Sequence, residues 1–312
     1  VSETLEGFGP DSLQQVFSST KNAMALCIAM CVDRGLLSYN DPVATHWPAF
    51  AQQGKQGLTV ADVMRHDAGL VRFHRLATTD DATDWDAMAT LIEESPSVWF
   101  TSKYTPVPNP EVKEGRRGYH AVSRGLILNC LLMRVDPKRR TMGQFLAEEI
   151  AGPLSADVFC GMPEELQDAH HIADMAPFQM RWSARDPDHK QTLASLDIQR
   201  IAVEGSKRDG TTAHMGAADG GVQNSVFSRS IVSPSTNGHA SARGLAKIAA
   251  AMAAKGSLGG VELMSPETFD SAHSQVSQKY DDILLEDSRF AQGGFAEFRL
   301  DGTDRAHSEG RG

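Results

Sequence analysis

Phe17-Ser18-Ser19-Thr20-Lys21-Asn22, followed by Ala23-Met24-Ala25-Leu26-Cys27-Ile28-Ala29-Met30-Cys31-Val32, is the stretch from which the rest of the chain can be read. The apolar run predicts a helix over 19–34, ended by Gly35. Apolar residues cover nearly every face, so this helix is expected to be buried. Ser18 stands where it begins. Lys21 follows three residues later, about one turn on and on the same face. A serine hydroxyl becomes a nucleophile at neutral pH only with a base within hydrogen-bond reach. A lysine one turn on can be that base, because burial and the helix N-terminus both disfavour its ammonium form. The same N-terminus presents free backbone N–H groups, and that of Ser18 is a candidate donor to an oxyanion. The alternative is an N-cap serine beside a solvated lysine, since Ser-x-x-Lys arises about once by chance in a chain this long. A solvated lysine is hard to place on a helix that is apolar all round.

The totals bound the rest. With 312 residues, 41% hydrophobic and 22% charged, the chain can bury a large core and exceeds the usual size of one domain. A formal net charge of −10 argues against a nucleic-acid binder. No run of 18 apolar residues occurs, so no membrane-spanning segment is expected. Cys27 and Cys31 share a helix face and read as small core residues. Cys130 and Cys160 are isolated, and no Cys-x-x-Cys is present, a pattern that fits a reducing intracellular compartment or a disulfide-free protein. The chain starts at Val1 and stops at Glu309-Gly310-Arg311-Gly312 without a closing element. It is therefore expected to be cut at both ends, with an upstream signal or transit peptide left open.

Further helices are expected from Thr59, where Thr59-Val60-Ala61-Asp62 matches a capping box, to a stop at Gly69, and over 80–95, 119–134, 142–150, 241–254 and 265–273. The best strand candidate is 290–300, and 160–236 is expected to hold long loops. His170-His171, with Asp168 and Asp174, reads as a solvated loop, and no metal or cofactor is implied. His66 reads as a cation at a helix end that also fastens a loop. No Gly-x-Ser-x-Gly elbow exists, which leaves an α/β-hydrolase unsupported.

Val16-Phe17-Ser18-Ser19-Thr20-Lys21, then Asp33-Arg34-Gly35-Leu36-Leu37 and Asp41-Pro42-Val43, resembles the serine β-lactamase-like family. Within it the chain is most similar to class C β-lactamase-related esterases and penicillin-binding-protein-like hydrolases. The resemblance continues in order through Trp47-Pro48-Ala49-Phe50, Leu58-Thr59-Val60-Ala61-Asp62-Val63-Met64, His66-Asp67-Ala68-Gly69-Leu70, Gly118-Tyr119-His120-Ala121, Arg140-Thr141-Met142-Gly143-Gln144-Phe145 and Asn237-Gly238-His239-Ala240-Ser241-Ala242-Arg243. It implies an α+β fold, an antiparallel sheet flanked by helices plus an all-helical domain. On that basis 1–57 with 237–312 form the sheet domain and 58–236 the helical one. It also implies that Ser18 is acylated, that Lys21 is its base, and that Tyr119 shares the base role. Tyr119-His120-Ala121 matches the esterase-like form of the second motif, and a packed aromatic is the structural alternative. Gly220-Gly221 resembles a turn that lines the cleft.

The third family element falls in Ala306-His307-Ser308-Glu309-Gly310-Arg311-Gly312, in one of two registers. Either His307 takes the basic position and Glu309 stands where glycine is expected, or Gly310 is the motif glycine and Ser308 takes the basic position. The Gly-rich continuation favours the second. These residues would bind substrate. The function implied is hydrolysis of a small ester or amide, and the alternative is an inactive scaffold or binding protein that kept the fold.

Overall fold

The computed structural model describes residues 8–75, 77–97, 117–174, 224–284 and 286–297. In chain order its main elements are β1 (Gln14–Gln15), α1 (Thr20–Asp33), α2 (Val60–Met64), α3 (Trp85–Glu94), α4 (Ser123–Val135), α5 (Met142–Leu146), β2 (Val158–Cys160), β3 (Gly238–Ala240), α6 (Ala242–Ala253), α7 (Pro266–Ala272), β4 (Ser277–Asp281) and β5 (Glu286–Phe290). The strands β1, β3 and β2 form one antiparallel sheet with β3 in the middle. Gln14 lies opposite Ala240 on one side, and Val158 lies opposite Ala240 on the other. β4 and β5 make a separate hairpin.

α1 is the axis of the core. Residues 23–31 are all buried along it, as expected of a helix without a polar face. Cys27 and Cys31 are free thiols packed as core residues. α1 packs against α4, α5 and α7. Its last turn is tied to the start of α7, where the Asp33 carboxylate accepts from Ser265 N–H at 2.9 Å and Ser265 Oγ at 2.6 Å.

Several expected boundaries shift, each for a local reason. Ser18 does not cap α1. It sits in a one-turn 3-10 segment, Phe17–Ser19, entered through Phe17 at φ 44°. That left-handed conformation costs a phenylalanine about 1–3 kcal/mol. β3 and α1 hold it. Val16 N–H bonds the Gly238 carbonyl at 2.8 Å, and Thr20 Oγ1 donates to the Phe17 carbonyl at 2.5 Å while accepting Gly238 N–H at 2.9 Å.

The capping box at Thr59 forms, but α2 ends at Met64 because the chain turns left-handed at His66 (φ 66°) before reaching Gly69. The single helix expected over 80–95 is two, Thr79–Thr83 and α3. Asp84 takes an extended conformation between them and caps α3 through Asp86 N–H at 2.9 Å. The helix expected from 119 begins at Ser123, and the Tyr119 and His120 N–H groups before it bond Asp281 and His66. Gly152-Pro153 does not stop the run after α5, which continues through Ala147–Ala151 to Gly152–Leu154 and ends at Ser155, φ 48°. The strand expected over 290–300 lies earlier: β5 ends at Phe290, which bridges to Ala296 around a turn containing Gly294 at φ 78°.

Candidate functional site

The polar site is built at the mouth of α1. Ser18 is exposed on its 3-10 turn, whereas Lys21, one turn on, is 5% exposed. Lys21 Nζ lies 3.2 Å from Ser18 Oγ, 2.7 Å from the Ala121 carbonyl and 2.9 Å from the Ser235 carbonyl. The Tyr119 hydroxyl donates to Ser18 Oγ at 2.9 Å. Ser18, Lys21 and Tyr119 therefore meet at one oxygen.

The two carbonyls decide what Lys21 can do. An amine has two hydrogens and one lone pair. With both hydrogens given to Ala121 and Ser235, the lone pair is left for the Ser18 proton. Burial pushes the Lys21 ammonium well below its usual range, and the Arg124 charge pushes in the same direction. The Tyr119 ring, with its centroid 4.9 Å from Nζ, favours the cation instead, by about 1–2 kcal/mol. Desolvation of a buried ammonium is larger than that.

Tyr119 is held from both sides by its backbone. Its own N–H bonds Asp281 Oδ1 at 3.0 Å, and the N–H of His120 bonds His66 Nδ1 at 2.9 Å. Asp281 also accepts Ile283 and Leu284 N–H groups, yet burial raises its carboxyl above the usual range. His120 is fully buried, with Nε2 accepting Leu70 N–H at 2.9 Å and Nδ1 donating to Gly118 at 2.6 Å. Burial pushes it down to about 3, so it is neutral in the working range. Arg117 bonds Asp67 at 2.9 Å and the Ser288 carbonyl at 2.8 Å, and Lys279 reaches Asp67 at 2.9 Å. These bonds clamp the β4–β5 hairpin behind the Tyr119 loop.

Sequence reasoning missed this support. His66 does fasten the loop, but it is no cation: burial first, and Arg124 next, hold it well below its ordinary value. Arg124, buried at the start of α4, left a visible signal, a basic residue just before the apolar run Leu126-Ile127-Leu128. Ser235 and Asp281 left none, since their role depends on carbonyl and carboxylate positions set by the fold. His307, Ser308 and Gly310, together with Gly220-Gly221, lie outside the described residues. His171 bonds Ser12 Oγ at 3.0 Å, and Asp174 pairs with Arg229 at 2.8 Å. Among the described residues no three His, Cys, Asp or Glu side chains gather as a metal site.

The profile of the beta-lactamase family matches residues 3–302. The chain belongs to the beta-lactamase family. It is 32% identical over 260 residues to the esterase/beta-lactamase LipL of Mycobacterium tuberculosis, a match that covers 82% of this chain and 54% of that protein. The chain thus spans about half the length of this curated relative. Among solved structures it resembles a family VIII carboxylesterase, with 26% identity and a TM-score of 0.72. It also resembles a penicillin-binding protein homologue from Caulobacter crescentus, with 32% identity and a TM-score of 0.71. Each of these two matches covers 94% of this chain and 69% of the other. The fold is that of the β-lactamases and transpeptidases, with helices and small antiparallel sheets.

Proposed function

We propose that this chain carries the acyl-transfer site of a serine hydrolase that cleaves small esters or amides through an acyl-enzyme on Ser18. The observation that carries this is the meeting of Lys21 and Tyr119 at Ser18 Oγ, with Lys21 Nζ also held by the Ala121 and Ser235 carbonyls and its ammonium form disfavoured by burial. Ser18 passes its proton to Lys21 while Oγ bonds the substrate carbonyl carbon, and the carbonyl oxygen becomes an oxyanion. Its collapse breaks the bond to the leaving group. The leaving group takes the Tyr119 proton, and Lys21 returns a proton to Tyr119. Both side chains end as they began, with Ser18 acylated. A water then gives a proton to Lys21 and adds to the acyl carbon. Ser18 Oγ departs, takes that proton back, and releases the acid.

Ester substrates are favoured by the relatives, one named an esterase/beta-lactamase and another a carboxylesterase. The test is incubation of the chain with a fluorophosphonate and with a labelled penicillin, read by intact mass. One adduct per chain, absent in Ser18→Ala, is expected. A folded chain that takes up neither reagent would instead be a non-catalytic relative with the same fold. A panel of short-chain nitrophenyl esters then ranks ester against lactam.

A further inference from the structure

Arg124, in the first turn of α4, is 1% exposed, and its guanidinium is poorly answered. Nη2 reaches the Gly294 carbonyl only at 3.4 Å, Nε has no hydrogen-bond partner, and among the described residues no carboxylate pairs with it. Nη1 stands 3.2 Å from His66 Nε2. His66 Nδ1 already accepts the His120 N–H, so the neutral ring carries its proton on Nε2 and turns a donor toward a donor. Among the described residues a full charge is thus buried without a counter-charge, on a helix whose other buried positions are mostly apolar. Buried charges of this kind are costly, and an apolar side chain of similar volume usually serves stability better.

Arg124 adjoins the Lys21 site through neighbouring rings: Nη1 is 3.2 Å from His66 Nε2, the His66 ring is 4.7 Å from that of Tyr119, and Lys21 Nζ is 4.9 Å from the Tyr119 ring. Ala121, whose carbonyl holds Lys21, lies three residues earlier in the chain. Ser235, whose carbonyl also holds Lys21, accepts the Gly125 N–H at 2.8 Å. The Lys21 cradle is therefore built from the chain on both sides of Arg124. The other groups near the pair are His66 from the turn after α2, Tyr119 and His120 from the loop before α4, Arg117 paired with Asp67, and Asp281 from β4 behind Tyr119. Both histidines are neutral in the working range.

We propose that Arg124 is a positioning residue whose unneutralised buried charge keeps Lys21 as an amine, ready to take the Ser18 proton. This rests on Lys21 as the base, and its direction agrees with the lowering of Lys21 by burial first and by Arg124 second. The guanidinium itself is pushed down by burial to about 10, which leaves it charged at neutral pH.

The test uses Arg124→Met and Arg124→Gln, which remove the charge, and Arg124→Lys, which keeps it. Lys21 is titrated in the full chain by nitrogen-15 NMR of labelled lysine, its resonance assigned by loss in Lys21→Met. The acid limb of kcat/KM on a nitrophenyl ester is recorded beside it. In the neutral variants both midpoints are expected to rise by about one pH unit or more. The melting temperature should hold or increase, and Arg124→Lys should keep the native midpoint. An unmoved Lys21 midpoint in a folded neutral variant overturns the proposal, and a lowered melting temperature beside it marks Arg124 as structural. If both neutral variants fail to fold, the native chain still tests the proposal: a Lys21 midpoint near the ordinary value of about 10.4 overturns it. The titration needs no turnover. A chain that shifts its Lys21 midpoint yet takes no label at Ser18 overturns the hydrolase alone, whereas labelling with an unmoved midpoint overturns the role of Arg124 alone.

Discussion

At the residue scale the molecule is marked by ionisable groups held neutral. His120 and His239 are nearly or fully buried, and burial pushes them to about 3 and about 4. His66 is also held well below its ordinary value. In the unfolded chain each returns to about 6.5, so on acidification the unfolded state takes up protons first. The stability they contribute is complete above about 6.5 and drains as pH falls toward the folded values. Between pH 7.5 and 5 the histidines are expected to make the melting temperature fall from about pH 6.5. Each histidine should add a slope of about 1.4 kcal/mol per pH unit. Denaturant titrations from pH 7.5 to 5 check this. His239→Gln should remove one share of the slope, and a stability unchanged down to pH 5 would refute the assignment.

At the scale of elements, close approach of backbones sets the site. Gly125 in α4 lies against the segment before β3, and a Cβ there would stand 2.5 Å from Ser235 N and 2.6 Å from Ser235 Oγ. Ser235 is the residue whose carbonyl anchors Lys21 at 2.9 Å. Gly125→Ala should therefore cost about 1–3 kcal/mol of stability by overpacking. It should also lower the rate of Ser18 labelling well beyond what the stability loss explains, since the fold would survive with the cradle displaced. Equilibrium unfolding in urea alongside labelling kinetics checks both. A variant that is destabilised but labels at the native rate would show that the Ser235 carbonyl does not matter to the chemistry.

At the scale of the whole molecule, the site is assembled from residues 18–21, 119–124, 235 and 281, which meet only when the chain is folded. Lys21 belongs to α1 and Arg124 to α4, which pack together in one core, so the site is expected to melt with that core. Heating should abolish Ser18 labelling and the far-ultraviolet helical signal at the same temperature. Labelling lost several degrees below the helical signal would mean that the Tyr119 loop and the β4–β5 hairpin open as a separate unit.

Much of this was legible in the order of residues. Local chemistry fixes local structure, so the buried run of α1, the capping box at Thr59, and the Ser18–Lys21 spacing needed only near neighbours to be read. The ordered family segments extended that to the fold and to Tyr119. What the sequence alone could not determine involves groups far apart in the chain. The turn at Phe17 that lifts Ser18 off the helix is held by Gly238, 221 residues away. The Tyr119 loop before α4 is pinned by His66 and Asp281, 54 and 162 residues from the groups they hold. The two carbonyls that hold Lys21 Nζ come from Ala121 and Ser235. The spacing named the serine and the lysine. Whether that lysine offers a proton or accepts one was left to the tertiary structure, because burial and hydrogen-bond partners, not sequence neighbours, set the charge of an amine.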